Sequence, residues 1–167
     1  MGRMNRAKSS LILAAACAAF APVQAAHAQA PSCPDPATAT AQVEQTIRDF
    51  FDALRKDDPA HFQSLTTKRM YSFDVGERFD GDALAKAIAK ALDDGVEINW
   101  SLGPMDTQVR CDVAWSAWEN TGSAGTPPNL RPARWLESAV LVHEGGRWKI
   151  DFFHSQRARP SAPAAND

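Results

Sequence analysis

The 167-residue sequence has one tyrosine, three cysteines and no excess of basic charge. Its formal net charge is -2, and the cations are unevenly spread. Arg3, Arg6 and Lys8 stand in residues 1 to 30, which hold no acid; taking these three from 18 basic residues leaves 15 against 20 acids, a net charge of -5. A mildly acidic chain lacks the clustered Lys and Arg of a nucleic-acid footprint, so no nucleic acid is expected as a partner. No spacing of Cys or His fits a metal site, and neither a Ser-His-Asp order, a Walker loop nor a dinucleotide fingerprint is visible. Neither metal nor cofactor is therefore expected. The apolar run from Leu11 to Val23 is ~13 residues, short of the roughly 18 to 20 that span a bilayer, so no stable membrane anchor is expected either.

What is present describes a globular domain. Hydrophobic residues make up 44% and charged residues 23%, with five Trp and eight Phe, a composition that disordered and low-complexity chains do not have. The three early cations, the apolar run and the small residues from Gln24 to Ala30 have the layout of a secretory signal peptide over residues 1–30. Cleavage fits after Ala28 or, by preference, after Ala30, and implies a periplasmic or secreted protein. The rival is lipidation at Cys17, which the apolar run oversteps. Two cysteines then remain, Cys33 and Cys111, in a compartment where disulfides persist. They form either a bridge or a frayed thiol and a small buried hydrophobe.

Residues 31–40 carry three prolines and read as a linker. A domain over 41–157 follows, and residues 158–167 read as a disordered tail. Val43, Ile47, Phe50, Phe51 and Leu54 form one stripe of a helix that Thr40 could cap and that runs to about Lys56. Asp58-Pro59 opens a short second helix. Met70 to Val75 reads as a strand, and a third helix carries Leu84, Ile88 and Leu92, capped by Asp80 and stopped at Gly95. From Val96 the period is two, which predicts sheet, interrupted at Gly103-Pro104 and by a long loop over 121–132. Arg134 to His143 and Arg147 to Ser155 read as a hairpin.

The segment Phe73-Asp74-Val75-Gly76 leading through Phe79-Asp80-Gly81, and the ending from Arg134-Trp135-Leu136-Glu137-Ser138 through Gly146-Arg147-Trp148-Lys149-Ile150 to His154-Ser155, resemble exported SnoaL-like members of the nuclear transport factor 2-like superfamily. The resemblance spans about Thr40 to Arg157. It implies an α+β cone, a curved antiparallel sheet wrapped around three N-terminal helices, and a homodimer. In the superfamily's ketosteroid isomerases an aspartate base works with a helix-one tyrosine and a protonated aspartate in the later sheet, a system used as a standard example of pKa tuning. The resemblance puts Asp74 at the base and Ser138 or Glu137 at the acid donor. The helix-one tyrosine has no counterpart, because the only tyrosine is Tyr71.

Strand parity places Trp135, Glu137, Ala139 and Leu141 on one face, and Trp148, Ile150, Phe152 and His154 on one face of the next strand. If the faces coincide, Glu137 and His154 join Asp74, which the resemblance singles out, as the candidate catalytic groups. Tyr71, Trp100, Trp118, Trp135 and Ser138 are then the candidate ligand-binding residues. Set against this, Asp74 can serve only its own turn, Glu137 can pair with Arg134 or Arg147 outside, and aromatics on such a sheet can be core. Arg110 and Arg157 read as solvated surface charge. Three functions stay open: binding of a small apolar molecule in the cone, an isomerase or lyase with Asp74 as base, and an interaction module with a filled cone.

Overall fold

The computed structural model describes residues 33–159. The signal peptide expected at 1–30, the first two residues of the expected linker and residues 160–167 of the expected tail lie outside the described residues. Among the described residues no helix is long and apolar enough to cross a membrane.

Helix α1 (Pro36–Arg55) starts at the last proline of the 31–40 segment, earlier than its composition predicts. Asp35, not Thr40, is the cap: its carboxylate accepts the Thr38 N–H at 2.9 Å, and Pro36 fills a first-turn position where a missing N–H costs nothing. The stripe Val43, Ile47, Phe50, Phe51 and Leu54 is buried along its whole length. Helix α2 (Pro59–Leu65) begins as expected at Asp58, which accepts the His61 N–H at 2.9 Å.

Strands β1 (Thr66–Asp74) and β2 (Glu77–Asp80) form a hairpin, and helix α3 (Ala83–Asp93) follows it. Asp80, expected to cap this helix, instead ends β2, where Arg78 pairs with it. Strands β3 (Glu97–Arg110), β4 (Val113–Gly125), β5 (Arg131–Glu144) and β6 (Arg147–Arg157) complete the sheet. The break expected at Gly103-Pro104 is absorbed as a register shift within β3. The loop expected over 121–132 shrinks, because β4 continues to Gly125. Gly122 makes this pairing feasible: a Cβ there would lie 1.8 Å from the Asn99 carbonyl oxygen.

The six strands run in the order β2-β1-β6-β5-β4-β3. The sheet is mixed and open, since β1 lies parallel to β6 while the other neighbours are antiparallel. No hairpin joins β1 to β6, so nothing in the connection demands the opposite direction. The inner face of the sheet packs on α1 around Phe50, whose ring lies 5.2 Å from Phe62 and 5.3 Å from Phe153. Cys33 and Cys111 are joined by a disulfide that ties the segment before α1 to the turn between β3 and β4.

Candidate functional site

One feature of β6 decides which side chains face inward. Across the β5–β6 ladder Leu141 stands opposite Ile150, but Val140 stands opposite Phe152, so Asp151 is an extra residue on β6. Such a bulge reverses the alternation beyond it. Trp148 and Ile150 are buried as strand parity predicts, yet past the bulge it is Phe153 and Ser155 that are buried. Phe152 and His154 therefore point to the outer face. Asp151 itself is held by Thr67 Oγ1 at 2.7 Å and Arg69 Nε at 2.9 Å. Burial alone would raise its pKa, but the Arg69 and Thr67 hydrogen bonds outweigh that and lower it.

Glu137 is the central polar group of the inner face, 5% exposed. The ladder delivers its partners: Trp118 on β4 and Ser155 on β6 stand directly across from it. Trp118 Nε1 donates to Oε2 at 2.7 Å, Asn120 Nδ2 to the same oxygen at 3.0 Å, and Ser155 Oγ to Oε1 at 3.2 Å. Burial nevertheless pushes its pKa up to about 7, with the Asp74 charge adding to the rise and the three hydrogen bonds opposing it. Among the described residues no arginine forms an ion pair with Glu137, which faces inward.

Asp74 ends β1 on the inward parity of Met70 and Ser72, and Val75-Gly76 turns the chain into β2. Both turn residues have positive φ, 47° at Val75 and 82° at Gly76. The Asp74 Oδ1 accepts the Val75 N–H at 2.8 Å. Burial raises the Asp74 pKa, opposed by that N–H, by the Ser155 hydroxyl and by His154. Ser155 thus stands between two carboxyl groups, and its single proton can serve one of them at a time.

These groups open onto a cavity of about 180 Å³ walled by Phe51, Leu54, Ile88, Ile98 and Trp100, with Trp135, Asp74, Glu137 and Ser155 at its polar side. A second, outer cavity of about 450 Å³ is lined by Phe73, Asp74, Trp135, His154 and Arg157 among others. Of the residues expected at the site, Asp74, Glu137, Trp100 and Trp135 meet at the inner cavity. Trp118 stands behind Glu137 as a hydrogen-bond donor. His154 borders only the outer cavity, because of the bulge. Tyr71 and Ser138 also fall outside the inner cavity. Tyr71 lies on the outer face, its ring 5.0 Å from Phe152 and beneath the Arg78 guanidinium at 4.1 Å. Ser138 is paired with Ala117 and His154 on that same face, so the register selects Glu137 over it.

Sequence reasoning missed Ser155, Asn120 and Arg157. The bulge hid the first, since Phe152 and Phe153 are both apolar and leave no visible break in the alternation. Asn120 had a signal, its even spacing from Trp118. Among the described residues no cluster of His, Cys, Asp and Glu could hold a metal ion.

No family model matches the chain, and no curated protein matches it. Solved structures do. A ketosteroid isomerase-like protein from Erwinia carotovora atroseptica superposes with a TM-score of 0.60 at 17% identity, covering 72% of this chain and 97% of its own. A nuclear transport factor 2-like protein of unknown function from Pseudomonas putida gives 0.59 at 16% identity, covering 77% and 91%. The chain has the nuclear transport factor 2-like fold. A protein from Caulobacter vibrioides described as having a cystatin-like fold gives 0.62 at 17% identity, covering 74% and 92%. Likeness at this identity carries the nuclear transport factor 2-like architecture and no chemistry, because one fold hosts many functions.

Proposed function

We propose that the domain binds a small, largely apolar molecule in the cavity between sheet and helices, oriented by the Asp74 and Glu137 carboxyl groups. The observation that carries this reading is the inner cavity itself, aromatic and aliphatic on most sides with two carboxyl groups converging on one. At about 180 Å³ it is smaller than the roughly 300 to 1,000 Å³ of drug-sized sites, which fits a ligand body of fragment size. Trp100 and Trp135 border it, so a fluorescence titration with small ketones and phenols reports occupancy. Trp135→Ala should weaken binding about tenfold, while Asp74→Asn should leave most of it. Unchanged affinity in Trp135→Ala would move the ligand elsewhere.

A second reading is favoured by the raised pKa values of Asp74 and Glu137 in one cavity. Such a pair supports a proton-shuttling isomerase or lyase, with Asp74 removing a proton beside a carbonyl and protonated Glu137 donating a hydrogen bond. The ketosteroid isomerase-like neighbour makes an enolisable ketone the natural trial substrate. Under this reading Asp74→Asn abolishes turnover with the fold intact.

Export to the periplasm or beyond is part of the proposal, supported by the layout of residues 1 to 30 and by the Cys33–Cys111 bridge, a bond suited to an oxidising compartment. The outer face exposes Phe73, Val113, Trp115 and Leu136, which supports pairing with a second copy rather than a filled-cone module for other partners.

A further inference from the structure

The two cavities share a boundary. Asp74, Val75, Trp135, Ser155 and Arg157 line both, and the groups each adds are different in kind. The inner cavity adds apolar walls and Glu137; the outer adds Phe73, Gly76, His154 and Gln156. Arg157 stands across the ladder from Trp135, and its guanidinium carbon lies 5.8 Å from the Trp135 ring centroid. None of the ion pairs among the described residues includes Arg157. A permanent cation is thus laid along an aromatic wall at the step between an apolar chamber and a larger one that also holds His154 and Gln156.

The charges fix which way a two-part ligand would lie. An anionic head in the inner chamber would meet both Glu137 and Asp74 beside Arg157. In the outer chamber it meets Arg157 and His154, with Asp74 the one acid, whose Oδ1 is taken up by the Val75 N–H. A single guanidinium offers the planar pair of N–H donors that matches a carboxylate, whereas a phosphate calls for more donors than one fork supplies.

Resting on the binding reading above, we infer that the ligand is a small amphiphilic carboxylic acid, its apolar body in the inner chamber and its carboxylate held in the outer chamber by Arg157. Arg157 is then the residue that selects acid over neutral analogue, and Trp135 holds its side chain in place.

Calorimetric titration of the protein with octanoate and with 1-octanol tests this. The expected result is octanoate binding about tenfold tighter than octanol, as one charge-assisted pair supplies. In Arg157→Gln that ratio should fall to about one, in Arg157→Lys it should be intermediate, and in Arg134→Gln, whose partner Glu119 is on the outer face, it should stay at the wild-type value. Circular dichroism of each variant checks the fold. Octanol binding as tightly as octanoate, or a ratio that survives in Arg157→Gln, overturns the inference and leaves the cavity reading standing. Binding of neither probe overturns the cavity reading itself.

Discussion

The two halves of the inner face are built from the same strands and serve opposite ends. Around Ile47, Phe50, Leu141 and Ile150 the side chains are apolar and fully buried, and rings meet rings. Beyond the Asp151 bulge, the same β5 and β6 present Glu137 and Ser155 to a cavity, beside a turn whose Val75 holds a left-handed backbone and is 81% exposed. A β-branched residue at φ 47° is strained, and burial makes the Glu137 carboxyl costly to ionise, so that its pKa rises to about 7. The packed half supplies stability that the polar half uses. Strain and carboxyl groups with raised pKa values gathered at a cavity are the pattern of a binding site rather than of a plain core.

The contrast can be broken from either side. Phe50→Ala removes the centre of the packed half and should cost about 3 to 5 kcal/mol, read from a urea unfolding curve. On the polar side, the effect depends on pH. Glu137 keeps its proton in the folded chain up to about 7, against 4.5 for a free glutamate side chain, so between those values the folded state binds more protons than the unfolded one. The contribution of Glu137 to stability is then greatest below about 4.5 and is lost as pH rises through about 7, by on the order of 3 kcal/mol. Asp74, also raised, tilts the curve the same way. In Glu137→Gln, unfolding midpoints at pH 5 and pH 8 should draw together, because the amide keeps a carbonyl for Trp118 and Asn120 without a charge. A wild-type protein equally stable at both pH values would contradict the buried-carboxyl account.

Replacing Cys33 and Cys111 by serine opens a loop of sequence separation 78 and should cost about 2 to 4 kcal/mol, visible as a lowered melting temperature. Smaller effects sharpen the comparison. Val75→Asn relieves the left-handed strain and should add about 1 kcal/mol. Ser72 is fully buried with an unpartnered hydroxyl among the described residues, so Ser72→Ala should be neutral or stabilise by up to about 1 kcal/mol.

The packed half was legible before any coordinates. A helical stripe of Val43, Ile47, Phe50, Phe51 and Leu54 has one sensible fate, and β5 alternates without interruption, so Trp135 and Glu137 fall on one face by counting. The polar half was legible only in part. Asp74 and Glu137 follow from parity and resemblance, but Ser155 and His154 exchange places across a bulge that no periodicity reveals. Strand β2, written Glu77-Arg78-Phe79-Asp80, is too charged to announce itself and forms because β1 offers it an edge. The 121–132 segment misleads the other way, since Gly122 marks a close approach between strands rather than a loop.

The bulge at Asp151 gives β6 two reading frames. Residues up to Ile150 are read by the core in one phase, and residues from Phe153 onward in the other, so a substitution at one position addresses a different audience from the same substitution one step along. Any strand-by-strand comparison that counts in twos from Trp148 will hand the cavity a histidine in place of a serine. A single inserted or deleted residue near Asp151 would do the same to the molecule, turning Phe152 and His154 inward and putting Ser155 outside, and so rewriting the cavity without substituting any residue that lines it.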